Sequence, residues 1–505
     1  MKTPRFPALM LCLAMLLSLA ACGQQNETPS SPTAEPVVND ETAAASEMAL
    51  DTGNETVKTA DAETIAAILA ETDGRRSAIM GSPTEVTYAG NAFYVSSSTG
   101  DDANDGTSPD HAVRTVWRLE TLPIRSGDAV LFKRGDLWRG EMLWCREGVT
   151  YSAYGEGSKP RFYGCKENGV GSEKWALYHE QDGIKIWKFY RDMLDVGGIV
   201  FNSGEQKADR TYGWWIVGSG YMRLDDLTKP FLPEENLQED MTCCSVIDYT
   251  GLDYPIMSWN ARNADKRGAL YLRCDAGNPG ALFDELEFEV TDVDADHWTG
   301  IFIAADGCTF DNLCIMYFSD TAIMTMDTPY RRDITVQNCE FAWCGNSMFG
   351  YESAEPSREA MASGDCLYGI AGTVAKNYFH HLDCAAITFE SNSGYDTTSL
   401  DLDLVIKDNL IERCGAGITI MDPWGVYTSV QGILVQNNIF LYTGEDWIHS
   451  GYHAVARWAV GIIHDLPSRC DNFDVSDNLV YRVADSYNFI NIEPAAIPES
   501  NRFFR

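Results

Sequence analysis

The sequence predicts an all-β chain wound as a right-handed parallel β-helix, a solenoid with an N-terminal capping helix and a β-rich insertion. Three observations carry the expectation: a strand motif that returns through the C-terminal half, a variable spacing between its copies, and a second short apolar strand that follows about ten residues later.

In each copy an apolar residue is followed by two mostly polar ones, a central residue that is usually Asn, one more residue, and an apolar one. The copies run from Phe310 to Ile315, Val336 to Phe341, Val374 to Phe379, Ile406 to Ile411, Val435 to Phe440 and Val475 to Val480. Their central positions, Leu313, Cys339, Asn377, Asn409, Asn438 and Asn478, are spaced by 26, 38, 32, 29 and 40 residues. A constant core at variable spacing means stacked coils that carry loops of different length on one face. Each coil buries its inward side only against its neighbours about 4.8 Å away, so like positions form columns. Asn at a recurring turn tolerates left-handed backbone and can hydrogen-bond to the next turn, so these asparagines are expected to form a structural ladder. A propeller would need a four-strand period and a leucine-rich solenoid a Leu-x-x-Leu spacing; neither is present. The trailing strands include Ala385-Ala386-Ile387-Thr388-Phe389 and Ala416-Gly417-Ile418-Thr419-Ile420.

Upstream, Phe93-Tyr94-Val95-Ser96 leads into an acidic Gly-rich turn from Gly100 to Ser108. An amphipathic helix with Val113, Val116 and Trp117 on one face is expected next, and then the strand Gly127-Asp128-Ala129-Val130. This order resembles the opening of pectin-lyase-like right-handed β-helix proteins, and with the coils the resemblance spans roughly Ala92 to Ile492. The stretch from Glu167 to Val290 matches least and reads as a β-rich insertion, with Trp187, Trp214, Trp215 and the turn Asn278-Pro279-Gly280. In the acidic turn, Ala103 and Ala112 stand where an EF-hand needs ligands. A hydrogen-bonded turn is therefore expected there, with no metal assigned, no cofactor required and calcium left as an option.

At the N-terminus, Lys2 and Arg5 precede an apolar run from Ala8 to Ala21, the pattern of a secretory signal. Leu19-Ala20-Ala21-Cys22-Gly23 resembles the lipobox of bacterial lipoproteins, which implies cleavage before Cys22 and acylation of its thiol. From Gly23 to about Ala60 the chain is rich in Ser, Thr, Pro, Ala, Asn and acids, with Lys58 its only base. As a flexible coil this tether would hold the body roughly 35 Å from a membrane. The expected organisation is a signal peptide over 1–21, a lipidated Cys and linker over 22–60, and a helical or capping segment over 61–91. First coils with the capping helix over 92–166, the insertion over 167–290 and the main coils over 291–505 complete it. The protein is thus expected to be exported, extracytoplasmic, anchored by lipid and monomeric, since no later stretch is long and apolar enough to span a bilayer.

A formal charge of −36 and a pI near 4.4 argue against nucleic acid as a partner, and more mildly against a highly charged uronate polymer. Of 15 cysteines, removal of Cys12 and acylation of Cys22 leave 13, an odd number. Cys308, Cys314, Cys339, Cys384 and Cys414 fall on apolar strands, where a thiol packs as a small hydrophobe. No cysteine or histidine grouping has zinc-site spacing.

Thirteen residues after the central positions, Cys339 leads to Glu352, Asn377 to Glu390 and Asn409 to Asp422, which places a carboxylate near one column in three successive coils. Alternation with Ile387 and Phe389 inward turns Glu390 outward. Like charges one coil apart raise one another's pKa and approach the separation of a retaining glycosidase pair; two coils apart they suit the inverting range. The same stack could bind calcium or be incidental, since acids are abundant. After the Asn377 turn, Asp383-Cys384-Ala385-Ala386-Ile387-Thr388 matches a pattern frequent in sequences of the β-helix type, which adds Asp383 to the catalytic candidates. His381 is a candidate acid or substrate ligand, or simply a solvated turn histidine. Trp424, Tyr427 and Trp447 recur beside acids in the loops, an arrangement suited to stacking on sugars, though each can also plug a core.

The resemblance implies carbohydrate chemistry. A lyase needs a Lys or Arg base, and Lys376, Lys407, Arg413 and Arg457 lie at scattered offsets, whereas carboxylates are plentiful. The expectation is a glycoside hydrolase acting on a polysaccharide or complex glycan; a pectate-lyase-like lyase and a non-catalytic glycan-binding or adhesive module are the alternatives.

Overall fold

Each coil lays three short strands, one in each of three sheets, against the corresponding strands of the coil before. The first sheet stacks Ala92–Val95, Ala129–Lys133, Thr150–Tyr154, Thr309–Asp311, Arg331–Gln337, Ile370–Ala375, Ser399–Lys407 and Ser429–Gln436. A second stacks Leu137–Arg139, Arg161–Tyr163, Cys314–Phe318, Glu340–Cys344, Tyr378–Leu382, Leu410–Glu412, Ile439–Leu441, Leu479–Tyr481 and Arg502–Phe504. The third stacks Leu143–Trp144, Gly300–Ile303, Thr321–Met324, Leu367–Tyr368, Ala385–Glu390 and Ala416–Asp422. The long strand Trp458–Ser476 belongs to the third sheet at its start and the first at its end, and Asp485–Ile492 pairs with its first part. All pairs within these sheets are parallel, the arrangement of a parallel β-helix. The computed structural model describes residues 57–84, 87–193, 196, 198–204, 206–210, 243–248, 268–290, 300–318, 321–325, 331–344, 366–382, 385–390, 399–422, 429–444, 458–483, 485–492 and 499–505, all within the compact unit Thr52–Arg505.

Alternation fixes what each strand buries. Phe310, Val336, Val374, Ile406, Val435 and Val475 line the inside of the first sheet; Ile315, Phe341, Phe379, Ile411, Phe440 and Val480 line the second. All join one core and are at most 2% exposed.

The corner between the first and second sheets is three and six residues long in the first two coils and, from Asp311 onward, two residues long in every coil. Its first residue is left-handed: Asn312, Asn338, Lys376, Asp408, Asn437 and Asp477 have φ between 53 and 59°. The central asparagine follows it. The sequence reading placed left-handed geometry on the asparagine; it belongs to the residue before, and the asparagine side chain points inward instead, fully buried. There it forms the ladder. Asn409 Oδ1 accepts from the Asn377 backbone N–H at 2.9 Å and from its Nδ2 at 3.1 Å. Its own Nδ2 donates to the Val374 carbonyl and to Asn438 Oδ1, both at 2.9 Å. The pattern repeats through Asn438 and Asn478 to Asn501, a rung the motif did not flag. At the other end Cys339 Sγ accepts the Leu313 N–H at 3.5 Å, a thiol in the amide oxygen's place.

A second left-handed column stands four residues after each central position: Tyr317, Trp343, His381, Arg413, Tyr442 and Arg482, φ between 49 and 55°. Planar groups offset the strain by stacking. Tyr317 and Trp343 lie parallel at 4.9 Å, and His381 continues the stack at 5.9 Å. Arg413 and Arg482 lie over the Tyr442 ring at 4.8 and 5.2 Å.

Two expectations near the N-terminus are corrected. No α-helix carries Val113, Val116 and Trp117. Val113 bridges Val95 and exchanges backbone hydrogen bonds with Tyr94 and Ser96, which leaves only 3-10 turns at Pro109–His111 and Trp117–Thr121. Nor does the N-terminal helix, Ala62–Met80, cap the solenoid's end. It packs along the outer face of the second sheet, with Ile68 and Ile79 against Tyr378, Leu410, Ile439, Leu441, Leu479 and Tyr481. In the acidic turn, Asp101, Asp102 and Asp105 accept backbone N–H groups of Ala103, Arg114, Thr115 and Thr107.

Between Arg161–Tyr163 and Gly300–Ile303 the chain leaves the coils to form a separate seven-stranded sheet, antiparallel but for one pair, with a core of Trp175, Phe189, Phe201 and Phe288. It meets the second sheet through Val200 against Tyr163, Tyr317 and Trp343 and through a bidentate Arg139–Glu287 pair.

Candidate functional site

The second sheet is covered on its outside, by the N-terminal helix over its later coils and by the insertion over its earlier ones. The third sheet has the most variable connections beside it. From Asp311 onward the first-to-second corner is constant, whereas two residues separate Leu382 from Ala385, 22 separate Cys344 from Leu367, and eight separate Glu390 from Ser399. A rigid sheet bordered by variable connections is where a solenoid places its site.

In strand Ala385–Glu390, Ile387 and Phe389 enter the core, so Thr388 faces the other way. It is in register with Thr419, which is followed in the same row by Gly461. Gly461 is a positional requirement: a Cβ there would stand 2.1 Å from Trp458 Nε1, so only glycine lets the indole lie against the sheet. From that position Trp458 Nε1–H donates to Thr419 Oγ1 at 3.2 Å. Thr388 Oγ1 is buried and has no protein hydrogen-bond partner. Ala385 and Ala416 pack beside the indole. Two hydroxyls and an indole are thus gathered on one row, with Thr388, Thr419 and Trp458 all 5% exposed or less.

Glu390 ends its strand two residues beyond Thr388, and Asp422 ends the next one. Backbone pairing joins Glu390 to Met421 and Asp422 to His464. The two acids are diagonal neighbours, one residue out of step with the single column expected. By strand spacing and rise their Cα atoms are on the order of 6 Å apart. Asp383, Glu352, Trp424, Tyr427, Trp447 and Cys22 lie outside the described residues.

His381 lies on the second sheet, at the end of Tyr378–Leu382. Its ring continues the aromatic stack, and its Nδ1 is 2.9 Å from His380 Nδ1. Around it sits a network that the motif reading did not single out. His380 Nε2 is 3.4 Å from Glu340, and Tyr378 O–H donates to Glu412 at 2.8 Å. Arg76 of the helix bonds Glu412 at 2.7 Å and Tyr378 at 3.2 Å. Burial, with the neighbouring Glu412 charge, pushes the Tyr378 phenol far above its ordinary value. Glu340, His380, Tyr378 and Glu412 are all 9% exposed or less. Through Arg76 the network fastens the N-terminal helix to the coils. A signal for it existed: positions one and three after each central residue face outward on the second sheet, and they collect Glu340, Tyr378, His380 and Glu412.

Among the described residues no group of three or more His, Cys, Asp or Glu could hold a metal ion, and no helix is long and apolar enough to cross a membrane.

No family model matches the chain. A lacto-N-biosidase of Bifidobacterium longum subsp. longum is 31% identical over a 117-residue alignment that covers 21% of this chain and only 7% of that protein. Among solved structures, the GH136 lacto-N-biosidase from Eubacterium ramulus aligns over 82% of this chain and 67% of its own, at 15% identity and a TM-score of 0.32. XylC in complex with xylose aligns over 79% of this chain and 66% of its own, at 12% identity and a TM-score of 0.39.

Proposed function

We propose that the chain is an exported, lipid-anchored glycoside hydrolase, a right-handed parallel β-helix that presents its third sheet to a polysaccharide or complex glycan. The observation that carries this reading is the 117-residue match to a lacto-N-biosidase; it makes a glycan ending in lacto-N-biose the first substrate to try. The variable connections that border the third sheet at strand Ala385–Glu390 support it. In this reading Asp383, Glu390, Asp422 and Glu352 supply the acid and its partner carboxylate. One carboxylic acid protonates the leaving oxygen while the other carboxylate acts as nucleophile or activates water. Trp424, Tyr427 and Trp447 stack on sugar rings, and acylated Cys22 holds the body at a membrane.

The test uses the chain from Cys22 onward with p-nitrophenyl lacto-N-bioside and a panel of plant and host glycans. Hydrolysis should release new reducing ends. Glu390→Gln or Asp383→Asn should lower turnover at least 100-fold with an unchanged melting temperature. Unsaturated products would replace this reading with a lyase, and glycan-array binding without turnover would replace it with a binding module.

A further inference from the structure

The insertion gathers exposed side chains on one hairpin. Its strands, Trp175–Gln181 and Ile184–Met193, lie at the edge of the seven-stranded sheet. There Leu177, Tyr178 and Tyr190 are 46, 54 and 57% exposed. Large apolar groups scattered singly over a surface need no account, but a cluster of them marks a binding face.

Both tyrosine rings are held in place while they stay open to solvent. Tyr178 packs edge-on against Tyr271 at 4.8 Å, and the nearly buried Tyr271 ring lies under the Lys188 ammonium at 5.8 Å. The Tyr190 hydroxyl lies 2.7 and 2.9 Å from the two oxygens of Glu167, a carboxylate that also takes Arg191 at 2.5 Å and Lys174 at 3.5 Å. Registered pairs join Tyr271 to Lys188 and Lys188 to Ala176. Phe189 enters the insertion core, so Lys188 and Tyr190 on either side of it turn the other way. Counted along the hairpin, the two tyrosines are on the order of 12 Å apart, with the short side chain of Ala176 and the Lys188 ammonium between them. Among the described residues, that ammonium and the Tyr178 hydroxyl have no hydrogen-bond partner.

We propose that Tyr178, Lys188 and Tyr190 form a second glycan-binding surface, carried by the insertion and distinct from the third sheet, that takes an uncharged oligosaccharide of several pyranose rings. From the proposed function it borrows only that the ligand is a glycan. A pyranose presents C–H groups on its faces and hydroxyls around its rim. Two aromatic faces meet the first, and the unpartnered ammonium and phenol meet the second. Rings already immobilised lose little freedom on binding. Charge selects the uncharged ligand: between Lys166 and Asp192 the chain carries five bases and five acids, a balanced patch in a protein of net charge −36. Neither a polyanion nor a basic peptide gains from it. Strand addition by a second copy is opposed by the bulge between Leu177 and His179 and by Glu180 on the same edge strand. A second grip on a polymer raises the effective concentration of its chain at the enzyme.

The experiment titrates the chain from Cys22 onward with xylohexaose, mannohexaose and a tetrasaccharide ending in lacto-N-biose, and maps hydrogen-exchange protection with each bound. Binding by at least one, with protection over 175–193, is expected. Tyr178→Ala and Tyr190→Ala should each weaken it about 10-fold, whereas Tyr178→Phe, which keeps the ring, should retain it. Lys188→Gln serves where Tyr190→Ala, which leaves Glu167 without its phenol, does not fold. No binding by any of the three, or equal affinity in Tyr178→Ala and the unsubstituted chain, would overturn the assignment. So would binding confined to sialylated or sulfated forms, or a dimer that Tyr178→Ala dissolves. A chain that binds here and hydrolyses nothing keeps this surface and loses the hydrolase reading; one that hydrolyses with its affinity unmoved by Tyr178→Ala does the reverse.

Discussion

Replacing Asn409 by alanine should cost more than any ordinary surface change, because its side chain serves two coils at once. The amide makes four hydrogen bonds: two accepted from Asn377, one donated to Val374, one donated to Asn438. At about 1 kcal/mol net for each bond, the direct loss is about 4 kcal/mol. The Asn377 backbone N–H is also left buried without an acceptor, which adds about 1–2 kcal/mol. A total of about 5 kcal/mol is a large share of a domain's stability. Asn377 is a graded control, since at the front of the ladder its Oδ1 accepts only the Cys339 N–H; Asn377→Ala should be milder by about 1 kcal/mol. Solenoids unfold by neighbouring repeats and need not be two-state. Hydrogen exchange read coil by coil is therefore the suitable assay, and faster exchange in 374–441 with little change near Ala129–Lys133 is expected. A loss below about 1.5 kcal/mol for Asn409→Ala, or equal effects at both positions, would refute the reasoning.

Glu141 gives a pH prediction. Burial pushes its carboxyl up to about 7, with the nearby Asp102 charge adding to the shift against the Val116 N–H bond. The folded chain then holds a proton that the unfolded chain has lost between the ordinary value of 4.5 and about 7. Stability should fall as pH rises through that window, by up to about 3 kcal/mol; Glu141→Gln should flatten the dependence in denaturant titrations at pH 5 and pH 8. Arg76→Ala removes the helix's partner for Glu412 and Tyr378, leaving a nearly buried carboxylate short of its cation. About 2 kcal/mol of local stability should go, read as roughly 30-fold faster amide exchange in Ala62–Met80 with the coils unaffected.

The coils were legible in the sequence because their signal is backbone chemistry repeated in columns. An inward apolar residue on either side of a two-residue corner, with a buried asparagine inside the corner, admits few other folds. What the motif could not assign was which corner residue turns left-handed. Lys376 does so although it is no turn specialist, because the ladder at Asn377 fixes the next residue inward. The helix Ala62–Met80 was misplaced since its partners on the second sheet lie some 300 residues away in sequence, beyond any local pattern. For the candidate site, Glu390 and Asp422 were named by counting from the asparagines, and the count slipped by one because Ala385 comes eight residues after Asn377 whereas its register partner Ala416 comes only seven after Asn409. Thr388 and Thr419 had a signal of their own, a threonine between two core residues in successive coils. Gly461 had none, since the indole that requires it is a neighbour only in the folded chain.

The constant corner divides the labour of inheritance. Every rung of the asparagine ladder touches only the rungs beside it, so residues added at either border of the third sheet do not pass through it. Lengthening a flexible connection costs only about 0.6 kcal/mol for each doubling, far less than losing a rung. Descendants of this chain can therefore vary the borders of the third sheet while the scaffold's register is transmitted unchanged; an engineer who grafts whole coils between such proteins should cut at the asparagine corner and nowhere else.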